Sequence, residues 1–546
     1  MLINPVASSS SPLGKGVAIR LNSSDEVAVA LKDLPAGTEL DVEARLVVVR
    51  EYVPAGHKVA LVDLARGAPV HKYGQVIGST TAPVIAGEHI HLHNLSGDPA
   101  FPVLADSIFT AAEALESRTA SRRTDLQCFD GIIRPDGRVA TRNYIAVIPM
   151  VNCASSVARM IAEKARLEGL VAASSGLDGI IALTHASGCG MPGGDGVSQE
   201  GSRASMGLEI LRRTLAGYAS HPNIGGVVIV SLGCEVNQFD GHYEMPWGSE
   251  TDAFHGTVNQ APFRKLGIQE LGGTANAVRA GVEAVDSIVS ELGRVVREPV
   301  GASELVVGLK CGASDGHSGL SANPALGAAV DVIVAQGGTA VLGETPEIYG
   351  AHHLLAARAV SEEVREALLQ RISFWERYAA ANGATLDENP SPGNHAGGIT
   401  TIFEKSLGAL AKAGTANLKQ VVGYAEPVSR KGLVFMDTPG YDPVSVTGMI
   451  AGGVNTICFT TGRGSVFGSK PVPSMKLVAT TQAYRLMDGD MDIDCGQIID
   501  GRCDIEEMGH QIFDALLLMA SGHLTKSERL GMGDEEIVPW HVGAVL

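Results

Sequence analysis

Two patterns of hydrophobic and polar positions divide the chain. Between residues 17 and about 94, short β-rich runs (VAIRL, EVAVAL, RLVVVRE, HKVALVDL, PVHKYGQVIG, EHIHLHN) alternate with turn residues. That spacing leaves no room for a helix longer than two turns and predicts a small all-β domain over residues 17–95. Residues 1–16, rich in Ser, Pro and Gly without periodicity, predict a loose tail. Residues 96–125 predict a linker with at most one short helix, near 104–117. With so few apolar residues in the linker, the β domain is expected to be separable from the rest.

Beyond Gly131 apolar strands alternate with amphipathic stretches, the pattern of an α/β body built on a parallel sheet. Strands are expected at 143–151, 179–184, 225–232, 305–309, 340–342, 432–436 and 455–459, and helices at 154–168, 206–216, 275–292, 324–335 and 361–380. A break near 297–303 separates two halves, 126–300 and 301–546, free to share one sheet. The fold class predicted is therefore α/β, a parallel-sheet body in two halves behind a small all-β N-terminal domain.

Charge and composition narrow the function. The 546 residues carry 42 Lys+Arg against 60 Asp+Glu, a net charge of -18, and such a field repels nucleic acid and anionic lipid. Apolar runs fall far short of the roughly 20 residues that cross a bilayer, and no charged stretch leads into an apolar one at the start. A cytoplasmic enzyme is expected, with no nucleic acid or membrane partner. Eight scattered Cys then read as reduced thiols rather than a disulfide framework.

Ligands of open α/β sheets bind beyond the carboxyl ends of the strands. Four predicted strands end in cysteine: YIAVIPMVNCAS (Cys153), GIIALTHASGCG (Cys189), GVVIVSLGCE (Cys234) and LVVGLKCGASDG (Cys311). One such Cys is most simply a small buried hydrophobe. Four at equivalent places suit a soft metal, either mononuclear Fe(II) or Zn or an iron–sulfur cluster with an open iron. Glu235, Ser314, Asp315, His317, Glu344, Glu347, Asp437, Thr461 and Arg463 follow other runs, and Asn394 and Lys405 lie in or after a rigid polar loop. Together they outline a polar pocket in which Arg463 and Lys405 can hold a carboxylate. His89, His91 and His93 share one face of a strand, as metal ligands or as a solvated strand end. The run Gly188 to Gly193 matches G-x-G-x-x-G, but Pro192 and the following GDGVSQEG delay any helix, which argues against dinucleotide binding.

The motifs FDGIIRPDGRVATRNYI, CGASDGHSGLSANPALG, ENPSPGNHAGGITTIFEKSLG and FTTGRGS, together with GHKVALVDLARG, KYGQVIG and GEHIHLHN, closely resemble the altronate and galactarate dehydratases and their N-terminal β-clip (SAF) domain. Ala313 and Ala140 are small departures that remove no reactive group. The resemblance implies a lyase that dehydrates a hydroxylated sugar acid to a 2-keto-3-deoxy acid. The implied cofactor is a divalent metal, Fe(II) first, with Mn or an iron–sulfur cluster as alternatives, held by Cys153, Cys189, Cys234 and Cys311. It further implies that His57, Lys58, Tyr73 and His317 are catalytic, and that Arg142, Asn143, Glu235, Ser314, Asp315, Asn394, Lys405, Thr461 and Arg463 bind substrate. The expected partners are the sugar acid and a second copy of the chain in a homodimer. A sulfolactate sulfo-lyase, a non-catalytic sugar-acid-binding protein and a nicotinamide enzyme are the competing readings. The first is disfavoured because its β-clip and α/β parts belong to separate chains, and the second by the full set of polar strand ends.

Overall fold

The computed structural model describes residues 16–43, 45–97, 125–171, 176–192, 205–237 and 261–543. The expected tail up to residue 15 and most of the expected linker lie outside the described residues.

The N-terminal domain is all-β. Strands Ala18–Ile19, Val27–Ala30, Lys58–Ala60 and His89–Ile90 form an antiparallel sheet, beside the hairpin of Glu39–Val42 with Arg45–Val48 and a three-stranded sheet of Pro69–Lys72, Gln75–Thr80 and Leu95–Ser96. In Glu39–Val42 alternate residues are exposed and buried, the period-two signature of a strand with one wet face.

Each half of the body has its own sheet. In the first, Gly179–Ala182, Tyr144–Pro149, Ile224–Ser231 and Phe263–Gly267 lie side by side, all parallel, with helices Asn152–Leu167, Met206–Ala219 and Thr274–Leu292. Ile224–Ser231 is buried at every position, as a parallel strand covered on both faces must be. In the second, seven parallel strands run Leu418–Val422, Gly432–Met436, Thr339–Leu342, Val306–Gly312, Thr456–Thr461, Ser474–Val478 and Ile493–Asp494. A small antiparallel sheet of Cys128–Ile133, Val139–Ala140 and Glu298–Gly301 ties the entrances of the two halves together.

The predicted strands and helices all form, while Phe263–Gly267, Leu418–Val422 and Ser474–Val478 were not legible as strands. Ser474–Val478 hides Lys476 in its centre, fully buried with its ammonium donating to the Phe467 carbonyl, so the charge breaks the apolar run without leaving the core.

Whatever its linker suggests, the β domain packs directly against the second half. Val29, Ala60, Ile77 and Ile90 share one buried cluster with Leu309, Leu326, Leu407 and Leu410 of the second half. Removing the domain exposes that apolar face, so packing across the seam, not the linker, decides the matter.

Candidate functional site

In the second half the chain leaves Val306–Gly312 toward Thr339–Leu342 and later returns on the opposite side as Thr456–Thr461, so the carboxyl end of the central strand is a topological switch point. Loop 313–318 emerges there and meets the β domain by close backbone approach. A Cβ on Gly316 would stand 1.9 Å from the Gly56 carbonyl oxygen, and one on Gly398, at φ +97°, would stand 2.4 Å from the same atom. Only glycine allows three backbone segments to pass this closely. The crossing brings the imidazole of His317 against Gly56 and carries His57 and Lys58 into the second half.

His57 Nδ1 lies 3.0 Å from His89 Nε2, its Nε2 lies 3.3 Å from the Ala396 carbonyl, and its ring centroid is 4.8 Å from that of His91. Donor nitrogens of His57, His89 and His91 all lie within 4.8 Å of one another. Burial first, and then neighbouring imidazoles and Lys58, push His89 down to about 3; burial and Lys58 push His91 down to about 4. His57 is likewise lowered by burial. All three rings are thus neutral near pH 7, the form that binds metals. His91 Nδ1 and His317 Nε2 are buried without a hydrogen-bond partner among the described residues.

Beside the imidazoles lies a buried charge triad. Lys58 Nζ donates to the Gly398 carbonyl at 2.7 Å and to Glu404 Oε2 at 2.9 Å, while Lys72 Nζ donates to Glu404 Oε1 at 2.8 Å. The amide and hydroxyl of Thr400 also donate to Glu404 Oε2, at 2.8 and 2.7 Å. Burial would raise the Glu404 carboxyl, yet the two lysines hold it well below the carboxylate range. Two ammonium groups share one carboxylate. Burial pushes Lys58 down to about 8, whereas Glu404 outweighs burial at Lys72 and keeps it cationic. A small cavity next to the triad is lined by Lys72, Tyr73, Ser314, Asp315, Glu404 and Lys405 among others. Tyr73, itself at φ +60°, points its hydroxyl at Gly319.

On the other side of helix Ile402–Leu410 lies a second buried cluster. Cys311 Sγ accepts from Lys412 Nζ at 2.8 Å and stands 3.3 Å from Glu347 Oε2. Lys412 also pairs with Glu344, Lys310 with Glu344 and Asp442, and Lys405 with Glu347. Burial and then Glu344 push the Cys311 thiol up to about 12, while Lys405 outweighs burial to bring Glu347 down to about 2. Donors of Cys311, Glu344 and Glu347 lie within 4.8 Å of one another, a spacing a metal can use. Three ammonium groups already neutralise the three carboxylates of Glu344, Glu347 and Asp442, however, and a divalent cation would add charge to a balanced site. This cluster reads as an ion-paired buttress under the cavity.

The seam gathers His57, Lys58, Tyr73, Ser314, Asp315, His317, Asn394 and Lys405. Asp315 Oδ1 accepts from the amides of His317 and Ser318, and Asn394 Nδ2 donates to the Ser314 carbonyl at 2.8 Å while its Oδ1 accepts from Lys405. Thr461 and Arg463 flank it: Gly462 packs on the Asp315 carboxylate, and Arg463 donates to the Gly393 carbonyl at 3.1 Å. Glu404, which holds both lysines, was missed although it lies within the quoted motif next to Lys405.

Arg142 and Asn143 do not belong to the site. They precede Tyr144–Pro149 and so lie at its amino end, away from the crevice. Arg142 is fully buried and spent on Glu528 (2.6 and 2.9 Å) and on the carbonyls of Thr141, Met519 and His523. Asn143 accepts from Arg134 and donates to the Gly176 carbonyl. Cys153, Cys189, Cys234 and Glu235 sit at the carboxyl edge of the first sheet, so these three cysteines do not form one centre with Cys311, which lies on the second sheet with its Sγ enclosed by Lys412, Glu344 and Glu347. Gly193 lies outside the described residues, and the next described helix begins only at Met206. No described helix is long and apolar enough to cross a membrane.

The β domain thus packs onto the switch point of the α/β body, where ligands of open α/β sheets bind, and brings a neutral imidazole trio and buried lysines there. Sequence models of three domains match in this order: the altronate/galactarate dehydratase SAF domain over residues 17–98, the D-galactarate dehydratase/altronate hydrolase second domain over 131–293, and the D-galactarate/altronate dehydratase C-terminal domain over 302–545. The chain is 34% identical to the altronate dehydratase of Escherichia coli K12 over 94% of its own length and 96% of that protein's. It is 32% identical to the galactarate dehydratase (L-threo-forming) of the same strain over 95% of each. It is also 33% identical to the (2R)-sulfolactate sulfo-lyase subunit beta of Chromohalobacter salexigens over 74% of its length and 95% of that subunit's. The chain belongs to the altronate/galactarate dehydratase family and is an enzyme of the hydro-lyase class.

Proposed function

We propose that the chain removes water from a sugar acid of the altronate or galactarate type to give a 2-keto-3-deoxy acid, and that it does so at the seam between the β domain and the second half. The observation that carries this reading is the placement of Lys58, whose fully buried ammonium reaches from the β domain across the seam to Glu404 at 2.9 Å and to the Gly398 carbonyl at 2.7 Å, where burial lowers it to about 8. A C2 proton beside a carboxylate is weakly acidic, so its removal needs a base that can shed its own proton near neutral pH, and positive charge near the developing enediolate. Lys58 meets the first need; Lys72 and Lys405, kept cationic by Glu404 and Glu347, meet the second. His317, with Nε2 unpartnered among the described residues and Nδ1 3.8 Å from Asp315 Oδ2, is positioned to protonate the departing C3 hydroxyl. Arg463 and Asn394 border the substrate entrance.

The imidazole trio fits an iron-type divalent metal, Fe(II) or Mn(II): its nitrogens are clustered, neutral and, at His91, unpartnered among the described residues. His57, His89 and His91 would hold it, so the role of His57 becomes ligation rather than proton carriage. A metal there supplies Lewis acidity toward the substrate carboxylate and hydroxyl. The test is a panel of altronate, galactarate and sulfolactate offered to the full chain loaded anaerobically with Fe(II). A 2-keto-3-deoxy acid from one of the sugar acids supports the proposal. Turnover of sulfolactate alone, or of none of the three, overturns it.

A further inference from the structure

Residues 534–542 cross both halves of the body without forming a helix or strand. In the second half, Lys470 Nζ donates to Asp534 Oδ1 at 2.9 Å and Val538 N donates to Thr447 Oγ1 at 3.0 Å. In the first half, His541 Nε2 meets Ser187 Oγ, and a Cβ on Gly207 would stand 2.1 Å from the Val542 carbonyl oxygen. A segment with no backbone ladder depends on its side chains for its place, and the largest here is Trp540. Its ring stacks on that of Trp375, with centroids 5.2 Å apart and planes 7° apart, and Tyr424, Tyr378 and Phe374 stand around it at 5.7, 5.9 and 6.3 Å. Such pairs stabilise beyond the area they bury.

Trp375 belongs to helix Glu362–Ala381, twenty residues of which only Leu368, Ile372 and Trp375 are buried. A buried indole needs an acceptor for its N–H. Trp375 Nε1 donates to Asp437 Oδ1 at 2.7 Å, and Thr345 Oγ1 donates to the same oxygen at 2.6 Å. Arg371, one turn before Trp375, reaches within 3.8 Å of Asp437 Oδ2. Asp437 directly follows strand Gly432–Met436 and is buried. A buried carboxylate is costly unless hydrogen-bonded, so these two short bonds pin the helix and the Thr345 turn to one atom.

The turn Thr345–Ile348 needs such a hold. It follows Glu344, a non-glycine residue at φ +68°, a conformation that persists only where the surroundings impose it. Thr438 supplies a further clamp, its carbonyl accepting from Thr345 N at 2.9 Å and its hydroxyl from Glu344 N at 2.8 Å. The turn delivers Glu347 Oε1 to Lys405 Nζ at 2.8 Å, while Asn389 Oδ1 and Asn394 Oδ1 accept from the same ammonium at 2.7 and 3.3 Å. Lys405 lines the seam cavity. We propose that Trp375 and Trp540 are positioning residues of the seam: through Asp437 and the turn Thr345–Ile348 they fix where the ammonium of Lys405 stands. The effect on turnover rests on the seam reading; the hold on the turn does not.

The test uses the full Fe(II)-loaded chain at a temperature where each variant has the wild-type circular dichroism. Trp375→Phe keeps the stack but removes the N–H that Asp437 accepts, and kcat for the sugar acid should fall about tenfold with KM little changed, because Lys405 faces charge that develops in the enediolate. Trp540→Ala should lower kcat likewise, and Trp540→Phe, which restores the stack, should recover most of it. Thr345→Val breaks the same relay one bond further on, so Trp375→Phe combined with Thr345→Val should lose little more than either alone. Amide exchange in Thr345–Ile348, read by mass spectrometry, should quicken in Trp375→Phe and Trp540→Ala and stay at the wild-type rate in strand Val306–Gly312. Wild-type kcat in Trp375→Phe, losses that simply multiply in the double variant, or unchanged exchange in the turn would each overturn the proposal. A wild type that dehydrates no sugar acid removes the seam reading alone, and the exchange rates then decide whether the two tryptophans hold the turn.

Discussion

The ammonium of Lys58, from the β domain, and the carboxylate of Glu404, from the second α/β half, meet at 2.9 Å with both side chains buried. Because Lys72 shares the same carboxylate, Glu404 cannot fully satisfy both, and burial leaves Lys58 the more easily deprotonated.

As a base, Lys58 acts only when neutral. kcat/KM for the sugar acid should therefore rise with pH and level off above about 8, the value to which burial lowers the group. A pH–rate profile measures this; a rate that is flat or falling across that range contradicts the assignment.

The imidazoles set an opposite hazard at low pH. Unfolded, each binds a proton near 6.5, while His89 and His91 in the folded chain wait until about 3 and 4. Between those values the unfolded chain holds more protons, so stability falls as pH drops below 6.5 and keeps falling toward 4. Melting temperatures of the metal-free chain at pH 7 and 5 should show that loss, and His89→Asn with His91→Asn should reduce the slope.

The backbone crossing is open to a one-carbon probe. Gly316→Ala forces a methyl into the Gly56 carbonyl, so it should cost about 1–3 kcal/mol, the usual penalty of overpacking, and lower activity by separating His57 from His317. Gly489→Ala, where a Cβ meets nothing within 4 Å, is the control. Denaturant midpoints and turnover for the two variants give the comparison.

Arg142 should behave as a structural residue. Arg142→Met leaves Glu528 buried without its partner, a loss of about 3–5 kcal/mol. The fraction that remains folded should keep its KM, whereas a substrate-binding arginine would raise KM with little change in stability.

Much of this layout was legible in the sequence. Period-two runs up to His93 and the strand-then-helix alternation beyond Gly131 specify the layers, and the residues after Val306–Gly312 and Thr456–Thr461 fall at the switch point as strand ends should. Less legible were features set by distant chain. Arg142 looked like a ligand because a buried, fully paired guanidinium and a free one read alike in sequence. Glu404 gave no signal of its own, since its partners lie some 330 to 350 residues away. Four cysteine-ended strands looked like one centre, but they belong to two separate sheets.

The most direct measure of the central claim is the turnover of Lys58→Met in the full, Fe(II)-loaded chain, followed as 2-keto acid from the sugar acid that wild type dehydrates. Loss of a general base should lower kcat by about 100-fold or more, with KM little changed and the circular dichroism spectrum intact. A Lys58→Met chain that dehydrates the sugar acid at the wild-type rate would contradict the claim that the reaction takes place at the seam.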